Sequence, residues 1–387
     1  MFSKTKYKRL EQMFKFFTSV LLYTFILIFA LLTAEFFYRF QNKISFFEWK
    51  DLRAQYFKRM NIAEDITNKT FKNNNYAVFD KFLGWTQRPN IHDLTGNMNT
   101  IDFGIRKNTE NTKITDNTIL AVGSSFTAGS EVRDNESWPA HLEKELNFPV
   151  LNAGIGGYGT DQILLRGDML FDAIKPELVI VSFLQDDIER TQFSSASRPK
   201  PYFKIVNNEL IYYPPLYVPG LQKVTNYLLI NKTRQVVLKL FSYFNVIDHI
   251  MKSNFSYIWY KTSLVNHTKV KTDKVKVTCL LLEKFRKKIK DSGSELLVLI
   301  QYGGAFIEGF SSPKKVLKDV VKCSNKLDIV TIDTFKILKG LSERNLNNFK
   351  KLYVMSGKNK YGHMSSKGNK FISDIIKIEA KKMVYRN

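Results

Sequence analysis

The run Thr118-Ile-Leu-Ala-Val-Gly-Ser-Ser-Phe-Thr127 places four apolar residues, Ile119 to Val122, directly ahead of a turn built from small residues. A short unbroken apolar run suits a strand covered on both faces, and Gly-Ser-Ser suits a strand-to-helix turn. Working outward, the same pattern recurs. Val150 to Ala153, Leu178 to Leu184, Leu296 to Gln301 and Ile329 to Ile332 read as further strands. Trp138 to Leu146, Thr160 to Ala173, Asp273 to Asp291, Pro313 to Ser324 and a last segment from Ser366 towards Met383 read as helices. Strands alternating with helices predict a parallel sheet. Leu178-Val-Ile-Val-Ser-Phe-Leu184 is apolar almost throughout, as expected of a strand buried on both faces. The expected fold is α/β: a three-layer α/β/α sandwich around a mainly parallel five-stranded sheet of flavodoxin-like type.

Composition narrows the class. With 387 residues, 44% apolar and 25% charged, the chain has material for one large or two modest domains and is not wholly disordered. Two cysteines exclude a disulfide-stapled mini-scaffold and a Cys-rich metal site. Five histidines, His92, His141, His249, His267 and His363, are scattered without ligand spacing, so neither a metal nor another cofactor is expected. The balance of 59 Lys+Arg against 36 Asp+Glu, a net +23, attracts polyanions. These charges spread along the chain without a nucleic-acid motif, so no nucleic-acid partner is expected. Much of the excess reads as solvated lysine, with an anionic envelope polymer as the polyanion that fits the compartment.

That compartment is set near the N-terminus. Lys4, Lys6, Lys8, Arg9 and Lys15 stand against the single acid Glu11, and Phe16 to Ala34 then runs uncharged until Glu35. A helix over that run rises just under ~30 Å, the thickness of a hydrocarbon core. The preceding basic flank keeps the N-terminus cytoplasmic and sends the rest outward. A cleaved signal peptide would have a shorter apolar run and a small-residue cleavage site; here Glu35-Phe-Phe-Tyr-Arg39 follows. The expected organisation is a basic tail over 1–15, a transmembrane signal anchor over 16–38, a stalk and lead-in over 39–117, and the α/β domain over 118–387, its bulk periplasmic or at the cell surface. Within it, 192–272 breaks the strand–helix rhythm, far exceeding an ordinary connection. We read it as an inserted subdomain or lid over the sheet edge, with a helix at Val224 to Met251 and aromatics that pack it. Cys279 and Cys323 fall on predicted helices, either bridged or free.

Four turns carry residues with chemical capacity. The first is Val122-Gly-Ser-Ser-Phe-Thr127, where a serine opening a helix lies near backbone N–H groups that stabilise negative charge. Its bland alternative is helix capping. The second, Asn152-Ala-Gly154-Ile-Gly156-Gly157-Tyr-Gly159, formally matches a dinucleotide fingerprint, yet the strand-end acid Asp186 lies too far on, and an exported protein meets little nicotinamide cofactor. The third is Leu184-Gln185-Asp186-Asp187, and the fourth Tyr361-Gly-His363-Met-Ser365, just ahead of the last helix.

Taken together over roughly 118–385, these turns resemble the four blocks of the SGNH (GDSL-like) hydrolase superfamily. The lead-in Leu83-Gly-Trp85…Arg88-Pro-Asn90 with Gly104-Ile-Arg106 is similar to that of membrane-anchored members. The resemblance implies Ser125 as nucleophile, His363 as base, and an oxyanion hole from Ser125, Gly157 and Gln185 or Asp186. Three positions depart from the family pattern. Ser124 stands in place of the Asp of Gly-Asp-Ser, the third-block Asn aligns with Asp186 or Gln185, and Lys360 replaces the Asp three residues before the histidine. An ionised Asp cannot donate to an oxyanion as Asn does, and His363 loses its usual orienting carboxylate unless another acid supplies one. The implied function is a membrane-anchored serine esterase or O-acyltransferase acting on acylated carbohydrate of the envelope through an acyl-serine. Two alternatives stand beside it: a catalytically degenerate domain binding glycan or a partner, and a surface protein whose basic charge binds polyanions.

Overall fold

Each strand read from the sequence between 118 and 333 forms, with its ends shifted by about a residue. The computed structural model describes residues 4–50, 52, 76–194, 200–215, 232–254, 270, 272–309, 312–357 and 360–385. The chain divides into two compact units, Met1–Asn61 with Gly220–Asn266, and Ile62–Pro219 with His267–Asn387.

The larger unit opens with a hairpin, β1 (Ala77–Asp80) and β2 (Gly84–Gln87), whose turn is closed by Asp80 accepting from the N–H groups of Phe82 and Leu83. Five parallel strands follow: β3 (Ile119–Gly123), β4 (Val150–Asn152), β5 (Leu178–Phe183), β8 (Glu295–Ile300) and β9 (Val330–Asp333). Their spatial order is β4-β3-β5-β8-β9. In chain order this is 2-1-3-4-5, a doubly wound sheet with its topological switch between β3 and β5, where ligands settle outside the carboxyl ends. Every residue of β3 and β5 is buried, which explains their almost wholly apolar composition, the one polar side chain, Ser182, accepting from the Gln301 amide. Two groups of helices flank the sheet, completing the α/β/α sandwich. One pairs α3 (Trp138–Leu146) with α13 (Ser366–Val384); the other joins α4 (Thr160–Ile174), α8 (Lys274–Asp291) and α10 (Lys315–Lys326). Cys279 on α8 and Cys323 on α10 form a disulfide. Short helices α2 (Ser125–Ala128), α5 (Gln185–Arg190), α9 (Gly304–Gly309), α11 (Phe335–Arg344) and α12 (Leu346–Lys350) complete the helical set that the site needs. His363 lies on a strand, β11 (Tyr361–Met364), paired antiparallel with β10 (Tyr353–Met355), and not in the loop its sequence suggested.

The beginning of the 192–272 stretch also belongs to this unit. Its hairpin, β6 (Tyr202–Val206) with β7 (Glu209–Tyr213), packs on α8. Lys200, fully buried, donates to Asp161 at 2.5 Å and to the carbonyls of Phe193 and Pro201, fastening the hairpin's approach to α4.

In the smaller unit α1 (Lys4–Gln41) contains a stretch, Glu11–Gln41, long and apolar enough to cross a membrane. The single helix expected at 224–251 is two: α6 (Lys232–Phe241) and α7 (Asn245–Asn254), while 224–231 lies outside the described residues. The break has a local cause. Glu35 on α1, itself buried, accepts from the backbone N–H groups of Asn245 and Val246, so its carboxylate caps the start of α7. Of the stalk and lead-in expected over 39–117, residues 39–50, 52 and 76–117 are described.

Candidate active site

Ser125 is the first residue of α2, two residues past Gly123 at the buried end of β3 and so at the switch point. The turn is wedged between neighbours that tolerate no side chain. A Cβ on Gly154 would collide with the backbone nitrogen of Ala128, which brings the second glycine-rich turn directly onto the nucleophile turn. Gly156 and Gly157 continue that turn. A Cβ on Gly156 would lie 3.9 Å from Ser125 Cβ, and Gly157 sits at φ +82°, a left-handed conformation that suits glycine. Neither the Ser125 nor the Gly157 backbone N–H has a hydrogen-bond partner among the described residues, leaving two donors available beside the serine.

The lead-in segment holds this assembly. Arg106, buried, pairs with Asp134 at 2.7 Å and donates to the carbonyls of Ala128, Gly129 (2.6 Å), Val132 (2.7 Å) and Asn97 (2.8 Å). It therefore fixes the loop leaving α2. Arg166 on α4 likewise bridges the carbonyl of Ala153 and that of Phe103, and Tyr158 donates to the carbonyl of Trp85.

The loop that Arg106 fixes carries Glu131. Its Oε2 accepts from the backbone N–H of His363 at 2.5 Å and lies 3.1 Å from that ring's Nδ1. The approach to Nδ1 is off the N–H line, so it acts as a close charge beside the imidazole and not as an in-line hydrogen bond. Gly362 makes this fit possible, because a Cβ there would collide with the same carboxylate oxygen. His363 also stacks obliquely on Phe126, the residue after the serine, with ring centroids 5.3 Å apart. Lys360, where the family pattern has Asp, is exposed. The carboxylate beside the histidine thus comes from a different part of the chain. Sequence reasoning missed Glu131, since 232 positions separate it from His363 and no spacing links them.

At the end of β5 the two candidates differ in burial: Gln185 is buried and Asp186 is exposed, and both line the cleft described below. The side-chain oxygen of Gln185 is buried without a hydrogen-bond partner. The third residue of this run, Asp187, is also buried; it accepts from the N–H of Leu184 at 2.9 Å and pairs with Arg190. Burial pushes its carboxyl up to about 6, against the opposing pull of Arg190, the Leu184 N–H and the nearby Ser124 hydroxyl.

A cleft of about 320 Å³ opens here, lined among others by Phe126, Gln185, Asp186, Phe306, Tyr361 and His363. Ser125 itself is not part of the lining; it sits behind Phe126 on the Gly156 side, half-buried, and its hydroxyl forms no hydrogen bond to the His363 ring. Among the described residues no group of His, Cys, Asp and Glu has the arrangement of a metal site.

No family model and no curated protein matches the chain. Solved structures do. The acetyl xylan esterase AlAXEase is 12% identical, covering 68% of this chain and 98% of its own, with a TM-score of 0.38. The psychrotrophic esterase EstA from Pseudoalteromonas sp. is 15% identical (70% and 100% covered, TM-score 0.36), and the lipase/acylhydrolase from Enterococcus faecalis 14% (68% and 95%, TM-score 0.37). Likenesses of that size decide neither substrate nor mechanism. The SGNH hydrolase-like architecture rests on the 2-1-3-4-5 parallel sheet, with the first three blocks following β3, β4 and β5 and the fourth on β11, just ahead of α13.

Proposed function

We propose that the chain is a membrane-anchored, extracytoplasmic serine esterase or O-acyltransferase, with Ser125 as nucleophile, His363 as general base and Glu131 as the acid that orients it. The observation that carries this reading is the seat of His363: it is held beside the Ser125 turn by a carboxylate from the loop that follows the serine. In the reaction His363 takes the hydroxyl proton as Ser125 Oγ bonds to the ester carbonyl carbon. The oxyanion is received by the free N–H groups of Ser125 and Gly157 and by the Gln185 amide, which can donate where Asp186 cannot. The alcohol then leaves with the proton held by His363, and water or a sugar hydroxyl displaces the acyl group from the serine. The ring nitrogen Nδ1 of His363 lies 3.1 Å from the Glu131 carboxylate.

Extracytoplasmic placement is supported by the basic flank, the apolar helix and the Cys279–Cys323 bridge, since disulfides persist in oxidising compartments. That placement makes acylated envelope carbohydrate the substrate class we favour, and the aromatic faces of Phe306 and Tyr361 in a small cleft suit a sugar ring carrying a short acyl group. A fluorophosphonate probe should label the full-length protein, and Ser125→Ala should abolish labelling. Intact protein that resists the probe beside a reactive control enzyme sinks the enzymatic reading. The unbonded Ser125 hydroxyl favours one alternative, a non-catalytic glycan- or partner-binding domain, for which Ser125→Ala leaves the biological role intact.

A further inference from the structure

The smaller unit exposes apolar surface at one particular level. In α6, Val236, Val237, Leu240 and Phe241 are all exposed, Leu240 by 62%, whereas Leu238 and Ser242 are buried. At 100° per residue the exposed four cover one continuous arc and the buried two lie opposite it. Of the five apolar side chains between Val236 and Phe241, four therefore face outward, the reverse of what water favours. Phe47, 95% exposed, and Trp49 add to the same surface chemistry.

The depth of these groups follows from Glu35, the residue that ends the apolar run of α1. Its carboxylate caps α7 through Asn245 and Val246, and pairs with Arg39 at 2.6 Å. Arg39 in turn donates to the carbonyls of Ser45 and Glu48 and lies 4.2 Å over the Trp49 ring. Both the α6–α7 junction and the Phe46-Phe47-Glu48-Trp49 turn are therefore tied to the point where α1 stops being apolar. An aromatic turn and an outward apolar helix at that level match the headgroup–acyl boundary.

We propose that α6 and the 46–49 turn form a membrane-interface platform, with the outward arc of α6 lying in the phospholipid surface around the emerging anchor. This rests on the reading of α1 as a membrane span, and the test separates the two. With Cys279 and Cys323 bridged, single cysteines at Leu27→Cys (mid-anchor), Leu240→Cys (outward arc) and Lys239→Cys (off the arc) accept an environment-sensitive fluorophore. The full chain is reconstituted in phosphatidylcholine–phosphatidylglycerol vesicles carrying shallow or deep doxyl lipids. The label at 240 should emit to the blue of that at 239 and lose about half or more of its emission to shallow doxyl lipid, while that at 27 responds to deep doxyl. A quenched label at 27 with a water-like label at 240 overturns the platform and leaves the anchor standing. A blue-shifted label at 240 that doxyl lipid does not quench also overturns it, because protein and not lipid then covers the arc. If none is quenched, anchor and platform fall together.

Discussion

The two halves of the candidate site are built differently. The Ser125 half is locked into the sheet: β3 is fully buried, Gly154 admits the backbone of Ala128, and Arg106 binds three carbonyls of the loop that follows. The His363 half is a short two-stranded ribbon, with the His363 side chain one-third exposed. What holds the histidine is Glu131, which belongs to the loop of the first half. The less buried half thus takes its position from the more buried one, and the segment that begins with Ser125 on α2 carries Glu131 in the loop that follows that helix.

The most damaging way to break this asymmetry is Arg106→Met. Removing one member of a buried, multiply bonded ion pair strands Asp134 and several carbonyls, and should cost about 3–5 kcal/mol in chemical denaturation. A loss under about 1 kcal/mol would mean that the loop is not held as described. Next comes Asp187, buried under the nucleophile turn. A carboxyl titrating at about 6 instead of 3.8 is bound to its proton more tightly in the folded state than in the unfolded one. Stability should therefore rise as pH falls from above 6 towards 4, by on the order of 3 kcal/mol from this group. Asp187→Asn should flatten that dependence; an unchanged profile in the variant would assign it to other groups. The smallest expected effect sharpens the comparison itself. Glu131→Gln keeps an acceptor for the His363 N–H but removes the charge. It should lower kcat by about 10- to 100-fold with little change in unfolding midpoint, and Glu131→Asp should restore part of the loss. Equal activity in the Gln variant would remove Glu131 from the mechanism.

Much of this was legible without coordinates, for reasons visible in single elements. Leu178 to Phe183 announced itself because a strand buried on both faces has no room for polar residues. Ser125, Gly157 and His363 were named as candidates through the resemblance of four ordered blocks to a known family. The α6–α7 break was not legible, because its cause is a carboxylate about two hundred positions upstream. Nor was it legible which of Gln185 and Asp186 is buried, since a shift of one residue at a strand end exchanges buried for exposed.

The amino-acid sequence alone determined the α/β order of strands and helices and the apolar helix with its flanking charges, because these follow from local periodicity and composition, while the candidate nucleophile and base were named through a family resemblance. Only the tertiary structure decided that Glu131 stands where Lys360 cannot serve, that Arg106 anchors its loop, and that Cys279 meets Cys323. Those contacts join residues distant in sequence, and chain folding, not spacing, sets their separation.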